Sequence, residues 1–277
     1  MERTRQKIGL AQVDCVVGDV DANVEKITGY VDEYGDDVDL LAFPEYATTG
    51  HGLGEGYFDA SLRLDDPPFK RLLEASRKTT LAVGFIEETD DFHLYNSLAI
   101  LRGGMISRIH RKVYLQNYGI FEEKKYFAAG DDYETVRQGR FRYAPLICGD
   151  AWNPGIVHLG ALKKAHVYLF STCSPGGGLG PEVSSERNWK RLNRLFATLY
   201  GCYVLFVNRV GTDEGTTFWG GSEVIDPFGE PVASTDSSDE DVVLAELDLD
   251  RVREARQVLY TTRDERLDFL KRQFSKL

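Results

Sequence analysis

Three apolar segments of the chain each lead into a residue that can take part in nucleophilic chemistry. Glu45 follows the run LLAFP, Lys112 lies within IHRKVYL, and Cys148 lies within PLICGD. A thiolate is a strong nucleophile, a nearby ammonium group favours the thiolate, and a carboxylate can accept the thiol proton. Side chains at the ends of buried strands converge on one cleft in α/β proteins, so these three residues are candidates for a shared nucleophilic site.

Each of the three residues also has a structural interpretation when it is taken alone. Glu45 could be a charge at a helix N-terminus, Lys112 a side chain that extends from a strand end to solvent, and Cys148 a buried core thiol. Cys15, Cys173 and Cys202 are far apart and form no C-x-x-C pair. Scattered cysteines of this kind are typical of core positions. Cys173 ends a predicted strand, and we interpret it as structural, with lining of the pocket as the alternative.

The elements that must position these residues can be predicted from the pattern of apolar residues. In the first half, strands are predicted over residues 7–15, 38–43, 80–88, 93–102 and 104–113, with helices over 20–34 and from Pro67. In the second half, strands are predicted over 141–149, 166–173, 202–210, 220–226 and 242–249, with helices over 155–164 and 184–200. Gly103 and Gly104 stand where a hairpin turn is expected. The acidic stretch 234–241 is interpreted as a solvated loop.

This mixture of strands and helices predicts one α/β domain over residues 1–277, with sheets covered by helices. The chain has 33 Lys and Arg against 44 Asp and Glu, a formal charge of −11, and 42% hydrophobic residues. This composition is that of a globular protein and excludes a disordered chain. The acidic balance argues against binding of nucleic acid. No apolar run approaches a membrane span, and no signal peptide precedes the first strand, so a cytoplasmic protein is expected.

Taken with their flanks, the three segments resemble the nitrilase superfamily of carbon–nitrogen hydrolases, whose members use a Glu-Lys-Cys triad. Further motifs in the same order strengthen the resemblance. They are Tyr95-Asn-Ser, residues 121–127 (FEEKKYF) with Gly130-Asp131, residues 208–211 (NRVG), 218–222 (FWGGS), 226–230 (DPFGE) and 247–253 (LDLDRVR). The resemblance covers nearly the whole chain.

The resemblance implies a four-layer αββα sandwich and hydrolysis through a thioester on Cys148. Glu45 would be the general base and Lys112 would stabilise the tetrahedral oxyanion, with the backbone N–H of Gly149 as a second donor. A fixed ammonium and a backbone N–H are suited to an oxyanion that develops on an amide carbonyl. No metal or organic cofactor is implied.

The resemblance also implies a second glutamate that positions the lysine and the substrate. The family context matches Glu123, eleven residues after Lys112, while its neighbour Glu122 stays open as an alternative. An exposed carboxylate on a charged loop is the structural interpretation of Glu123.

Two positions depart from the family pattern. Gln116 follows Leu115 where the family usually has proline, and Gly149 stands where many relatives carry a larger side chain. The first change could alter the loop beyond Lys112, and the second could widen the pocket.

Residues 116–123 (QNYGIFEE) and 148–154 (CGDAWNP) are most similar to the glutaminase branch, the amino-terminal domain of glutamine-dependent NAD synthetases. Tyr118 and Trp152 in these stretches are candidate substrate-binding residues. The S-G-G-x-D-S phosphate motif of a synthetase domain does not occur in the sequence.

Two further features invite a functional interpretation. The glycine-rich run at 174–180 lacks the G-K-[ST] ending of a phosphate-binding loop, so we interpret it as a loop that borders the active site. His51 follows Glu45 closely and could contact substrate. As a lone histidine among glycines, however, it is interpreted as an incidental surface residue.

The sequence therefore predicts a cytoplasmic amidase that hydrolyses a small amide and releases ammonia or an amine. Nitrile hydrolysis is one alternative, and a glutaminase-type subunit that supplies ammonia to a synthetase is another. A binding protein on an inactive scaffold is a third, against which the intact triad argues. By resemblance a homodimer or a higher homo-oligomer is expected, and the tail at about 255–277 could take part in subunit packing.

Overall fold

Two six-stranded sheets form the centre of the protein, whose computed structural model describes residues 4–177, 184–213, 215–259 and 261–277. The strands are β1 (Arg5–Gln12), β2 (Leu40–Ala42), β3 (Thr80–Glu88), β4 (Leu94–Arg102), β5 (Met105–Arg111), β6 (Val136–Gln138), β7 (Phe141–Ile147), β8 (Val167–Thr172), β9 (Tyr203–Asn208), β10 (Val210–Asp213), β11 (Thr216–Trp219), β12 (Glu223–Ile225), β13 (Pro231–Ser234) and β14 (Asp241–Asp248).

The helices are α1 (Val20–Tyr34), α2 (Pro67–Ala75), α3 (Glu123–Tyr126), α4 (Pro154–Leu162), α5 (Ser185–Tyr200), α6 (Leu249–Val258) and α7 (Leu267–Phe274), with short 3-10 helices at Gly54–Tyr57 and Cys148–Trp152. Side chains cap several of them. The Asp19 carboxylate accepts a hydrogen bond from the Ala22 N–H at the start of α1, and Ser184 does the same for Arg187 at the start of α5. Pro67 and Pro154 occupy the first helical position of α2 and α4, where a missing N–H costs nothing.

The strand order places the strands of the first half of the chain in one sheet, together with β14 from the second half, and the strands β6–β9, β12 and β13 in the other. The first sheet has the order β14-β1-β2-β3-β4-β5 and the second has β13-β12-β9-β8-β7-β6, while β10 and β11 form a separate hairpin. β1, β2 and β3 are parallel, and so are β7, β8 and β9. β14 is antiparallel to β1 along all eight residues of that strand.

Three apolar interfaces hold four layers together. Ile8, Leu40 and Leu98 of the first sheet share a buried cluster with residues of the second sheet, so the sheets pack face to face. The same cluster extends to Val157 of α4 and Phe196 of α5 on the far side of the second sheet. The outer face of the first sheet is covered by α1 and α2 through a cluster that includes Val24, Ile27, Val31, Phe69 and Leu72. The expected αββα sandwich is confirmed.

Most of the predicted elements are present, and the β4–β5 turn is confirmed in detail. Gly103 and Gly104 both have positive φ, 61° and 79°, which is the geometry of the two-residue turn that suits the twist of a hairpin. The predicted strand over 202–210 is wrong at its end, because β9 stops at Asn208 and β10 leaves the sheet. The predicted strand over 220–226 begins too early, because β12 starts only at Glu223. The strand before it, β11 at Thr216–Trp219, belongs to the separate β10–β11 hairpin and was not predicted.

The C-terminal part of the chain contains two helices that the periodicity did not predict. α6 buries Val252 and Ala255, whereas α7 buries no residue and exposes Leu267, Phe269 and Phe274. A role of this tail in subunit packing therefore stays a prediction. Among the described residues, no helix has the length and apolar character needed to cross a bilayer.

Candidate active site

The candidate site lies where strands of both sheets end. β2 leads through Phe43 and Pro44 to Glu45, β5 ends one residue before Lys112, and β7 ends directly before Cys148. β5 runs in the same direction as β2 and β3, because it is antiparallel to β4, which is antiparallel to β3. The carboxyl ends of these strands therefore meet at one edge of the sandwich.

A glycine in β3 allows the Glu45 segment to lie against the sheet. A Cβ atom at Gly84 would lie 2.3 Å from the carbonyl oxygen of Pro44 and 2.7 Å from the Cα of Glu45. The Gly84 carbonyl also accepts a hydrogen bond from the Thr48 N–H at 3.2 Å. Only glycine can occupy this position without displacing the segment that carries the carboxylate.

Lys112 is the centre of a fully buried ion cluster. Its Nζ lies 2.7 Å from Oε1 of Glu45 and 2.6 Å from Oε1 of Glu123. The side chains of Lys112, Glu45 and Glu123 are 0%, 1% and 3% exposed. Glu122 is exposed, so the structure places Glu123, and not its neighbour, beside the lysine.

Neutral donors complete this cluster, and the sequence had not assigned them a part in it. The Asn96 Nδ2 group donates to Oε1 of Glu45 at 2.8 Å and to Oε1 of Glu123 at 3.1 Å. The Tyr46 hydroxyl donates to Glu123 at 2.8 Å, and the Gln116 N–H donates to Oε2 of Glu123 at 2.7 Å. Asn96 lies in the Tyr-Asn-Ser motif, so the motif was the signal that could have found it. Tyr46 carried no signal beyond its place after Glu45.

Cys148 begins the 3-10 helix after β7 and has a φ of +37°, which is rare for a residue with a side chain. Strained backbone of this kind is concentrated at functional sites. The Asp150 carboxylate holds the turn. It accepts hydrogen bonds from the Ile147 N–H at 3.1 Å and from the N–H groups of Val113 and Tyr114 at 3.0 and 2.9 Å.

Asp150 thereby ties the cysteine turn to the segment that follows Lys112. Its Oδ2 also lies 2.9 Å from Nε2 of His110, and both side chains are fully buried. A carboxylate that accepts several hydrogen bonds is fixed in one orientation, so the relative positions of the thiol and the ammonium group depend on this buried residue.

The charges of the site act on one another. Burial raises the pKa of the Cys148 thiol well above its ordinary 9.0 and Glu45 raises it further, while Lys112 opposes both. Burial also raises the pKa of Glu45 above 4.5, against the effect of the lysine. Burial alone would lower the pKa of Lys112, but Glu123 and Glu45 outweigh it and the pKa lies well above 10.5. The resting site therefore holds a protonated thiol next to an ammonium group and a carboxylate of raised basicity.

The two departures from the family pattern contact each other. A Cβ atom at Gly149 would lie 2.9 Å from Cγ of Gln116 and 2.8 Å from the carbonyl oxygen of Tyr114. The Gln116 side chain therefore occupies space that a side chain at position 149 would need. Its Oε1 lies 3.6 Å from Sγ of Cys148, and its Nε2 donates to the Tyr118 hydroxyl. The pocket is not simply widened by the glycine, because the glutamine fills the room.

A cavity of about 330 Å³ opens onto the cysteine. Its walls include Cys148 and two of the predicted substrate-binding residues, Tyr118 and Trp152, which are 53% and 40% exposed. Gln116, Gly119, Phe121, Ser174, Pro175, Ser185 and Trp189 complete the lining. The loop at 174–180 thus borders the cavity through Ser174 and Pro175, while residues 178–180 lie outside the described residues.

Cys173 does not line the cavity, which was the alternative left open for it, and His51 is not at the surface. Cys173 is fully buried and is not among the residues that line the cavity; its backbone N–H donates to Oε2 of Glu45 at 2.9 Å. The interpretation of His51 as a surface residue is wrong. It is 7% exposed and packs edge-to-face against the rings of Tyr46, Phe121 and Phe218, because the glycines around it let the loop fold inward.

The described part of the chain contains no cluster of three or more histidine, cysteine or carboxylate side chains with metal-binding geometry. What the arrangement offers instead is a thiol in an accessible cavity, with a buried carboxylate and a buried ammonium group behind it.

Comparison with known proteins is consistent with this geometry. The sequence profile of the carbon-nitrogen hydrolase family matches residues 7–257. A glutamine-dependent NAD(+) synthetase of Aquifex aeolicus is 31% identical in an alignment of 252 positions that covers 89% of this chain and 43% of the synthetase. A probable nitrilase of Schizosaccharomyces pombe is 28% identical and is matched over 98% of this chain and 99% of its own length.

Solved structures share the fold. An amidase of Nesterenkonia, which in one structure carries the acetamide moiety of fluoroacetamide on its active-site cysteine, superposes with a TM-score of 0.80. It is 19% identical, over 96% of this chain and 95% of the amidase. The chain spans less than half the length of the NAD(+) synthetase that it matches. The family profile nevertheless covers most of the chain, and with the buried glutamate, lysine and cysteine in their expected order the chain belongs to the carbon–nitrogen hydrolase family.

Proposed function

We propose that the protein is an amidase that hydrolyses a small amide through a thioester on Cys148. The observation that carries the proposal is the buried bridge of Lys112 between Glu45 and Glu123, placed behind a thiol that opens onto a cavity. An ion cluster this deep contributes little to stability, since desolvation offsets the attraction of the charges. Its placement is therefore better explained by chemistry than by folding.

In the first step the carbonyl carbon of the amide binds in front of the thiol. Sγ of Cys148 attacks it while Glu45 accepts the thiol proton, so no free thiolate has to form in the buried site. The carbonyl oxygen becomes an oxyanion, which the ammonium group of Lys112 and the N–H of Gly149 stabilise. Glu45 then donates its proton to the departing nitrogen, the carbon–nitrogen bond breaks, and the thioester is left on Cys148.

In the second step water replaces the amine. Glu45, now ionised, accepts a proton from water as the water oxygen attacks the thioester carbonyl. The second oxyanion is held by the same donors, and its collapse breaks the carbon–sulfur bond and returns the proton to the thiol. Glu123 is a positioning residue in this scheme, because it holds Lys112 and the backbone of Gln116.

Two alternatives to a free amidase each have an observation in their favour. The same thiol could attack a nitrile carbon, and the chain matches a probable nitrilase over nearly its whole length. A role in supplying ammonia to a synthetase is supported by the similarity to a glutamine-dependent NAD(+) synthetase. Activity that rises on addition of a synthetase partner would favour that role, whereas a free amidase does not respond.

The wider setting of the enzyme is part of the proposal. The two sheets share one buried cluster, which supports a single domain over residues 1–277. The four cysteines are free and buried, which suits a reducing compartment and so a cytoplasmic location. A homodimer or a higher homo-oligomer is proposed on the family resemblance alone.

The decisive experiment combines an assay with mass measurement. The wild type is incubated with a panel of amides and nitriles, ammonia release is followed, and the intact mass is recorded. We expect an acyl adduct on the wild type and loss of turnover in Cys148→Ala. Cys202→Ala, which also removes a buried thiol, serves as the matched control and retains turnover. Ammonia release by Cys148→Ala at the wild-type rate would end the proposal.

A further inference from the structure

The walls of the cavity in front of Cys148 are aromatic and uncharged. Tyr118 and Phe121 form one edge-to-face pair, with ring centroids 5.8 Å apart. Trp152 and Trp189 form a second pair, 5.4 Å apart with an interplanar angle of 81°. Rings in these arrangements offer flat apolar faces and stabilise each other. The cavity therefore presents broad surfaces for an apolar group.

The polar side chains of the wall are neutral and largely committed to the protein. The hydroxyl groups of Ser174 and Ser185 are hydrogen-bonded at 2.6 Å, and the Ser174 hydroxyl accepts a hydrogen bond from Nε1 of Trp189 at 3.0 Å. The two serines therefore hold the indole in place. The Gln116 side chain donates a hydrogen bond from Nε2 to the Tyr118 hydroxyl, and its Oε1 lies beside Sγ of Cys148. These contacts leave few polar groups that could replace the water around a charged substituent.

The ionised groups nearby are ion-paired or border a different cavity. Lys112 is ion-paired with both Glu45 and Glu123 behind the thiol, and none of the three residues is part of the cavity lining. Glu122 and Glu123 border a different cavity, together with His51 and Tyr57. On the adjoining helix α5, Lys190 pairs with Glu186 at 2.8 Å. Among the residues that the structure describes, no wall of the Cys148 cavity carries a charged side chain.

A charged acyl substituent would lose its hydration in this cavity without gaining a partner of opposite charge, which is unfavourable. An apolar acyl group of similar size would instead gain contact with the rings. We propose that the substrates are amides whose acyl part is uncharged and mainly apolar, and that an acyl part with a carboxylate or an ammonium group, as in glutamine, is discriminated against. This inference rests on the proposed amidase function.

Three amides of matched chain length test the inference. They are hexanamide, 6-aminohexanamide, which carries an ammonium group, and adipamate, which carries a carboxylate. We expect kcat/KM for hexanamide to exceed that for each charged analogue at least tenfold, because a difference in pocket contacts typically has effects of this order or larger. L-Glutamine is included and is expected to be hydrolysed no faster than the charged analogues.

A variant assigns the preference to the aromatic wall. Trp152→Ala is expected to lower the ratio of kcat/KM for hexanamide to that for acetamide about tenfold, because acetamide is too short to use the ring. An unchanged ratio would remove Trp152 from the proposal. Phe92→Ala, which truncates an exposed ring of the β3–β4 turn away from the cavity, is the matched control and is expected to leave the ratio unchanged.

The outcomes separate the inference from the function on which it rests. No Cys148-dependent ammonia from any amide would sink the amidase proposal itself. Cys148-dependent hydrolysis that is faster for adipamate, 6-aminohexanamide or L-glutamine than for hexanamide would overturn only the substrate class.

Discussion

The two sheets contribute to the site in different ways. The first sheet supplies Glu45 and Lys112, which are buried, ion-paired and hydrogen-bonded to other side chains at 2.6–2.8 Å. The second sheet supplies the thiol, and the cavity in front of it has walls from loops and a helix, where Tyr118 and Trp152 are about half exposed. The charged region, formed by Glu45, Lys112 and Glu123, is fixed by many contacts, whereas the cavity in front of the thiol is open.

This difference assigns the chemical reaction to the charged region and the recognition of the substrate to the cavity. A carboxylate held by a lysine, an asparagine and a backbone N–H has one orientation, and such a cluster tolerates no change of partner. An open aromatic wall can change its shape without disturbing that cluster. We therefore expect substitutions in the charged region to lower turnover with every substrate, and substitutions in the cavity to change which substrate is preferred.

The largest effect is expected from Glu45→Gln, which removes the general base from the charged region. The amide cannot accept the thiol proton, so kcat should fall by about 10²–10⁴-fold with every substrate. The measurement is steady-state ammonia release, with circular dichroism to show that the variant is folded. A folded variant with near wild-type kcat would exclude Glu45 as the base.

The pH profile is a second measurement of the same group. Glu45 accepts a proton only when it is ionised, so kcat/KM should fall as the pH drops through its pKa. Because burial raises that pKa, the acid limb of the profile should lie above the ordinary 4.5. The residual activity of Glu45→Gln should lack this limb. A limb at or below 4.5 in the wild type would contradict the assigned environment.

A smaller loss is expected from Glu123→Gln, which weakens the hold on Lys112 but leaves the base. Misplacement of a catalytic group by about 1 Å can cost about 10²-fold, and we expect a fall in kcat of about 10- to 100-fold. Glu122→Gln is the matched control, since its carboxylate is exposed. Equal effects of the two substitutions would show that the loss is not specific to the lysine contact.

Asp150→Asn tests the connection between the two regions. The asparagine keeps the shape but loses the charge and turns an N–H₂ group toward backbone donors. Loss of hydrogen bonds to a buried charged group should lower the free energy of unfolding by about 3 kcal/mol. Chemical denaturation measures this loss. Asp132→Asn, whose exposed carboxylate pairs with Arg108, is a control with an expected effect below about 1 kcal/mol.

The smallest effect is expected from Gly149→Ala at the edge of the cavity. The new methyl group would press on Gln116 and on the Tyr114 carbonyl, so the variant should lose about 1–3 kcal/mol. Adding Gln116→Ala removes one of the two close contacts and should recover part of the loss. Strict additivity of the two substitutions in denaturation would show that the residues do not share this space.

The charged region was easier to predict from the sequence than the cavity, because its residues are of types that are rarely buried at the ends of apolar strands. An acid, a lysine and a cysteine at the ends of apolar runs are costly to bury, so their order and flanks carry information. Asn96 and Asp150 also stood in motifs, but nothing in the sequence said that their side chains bind Glu45 and the cysteine turn. Such partners become visible only when the strands are placed side by side.

The cavity and the C-terminal part were less predictable for different reasons. The contact of Gln116 with Gly149 depends on how two loops cross, which no local pattern encodes. The β10–β11 hairpin has strands of four residues, too short for periodicity to separate them from β9 and β12. α7 buries none of its residues, so no buried face marks this segment as a helix.

The pairing of β14 with the full length of β1 has a consequence for synthesis of the chain. β1 leaves the ribosome before the other strands, but its antiparallel neighbour β14 is made only after the remaining strands of both sheets and the nucleophile have been translated. Until then one edge of the first sheet has unpaired backbone groups, which attract strands of other chains. A chain that stops before residue 241 would thus contain Glu45, Lys112 and Cys148 and still have an open edge, so we expect it to aggregate.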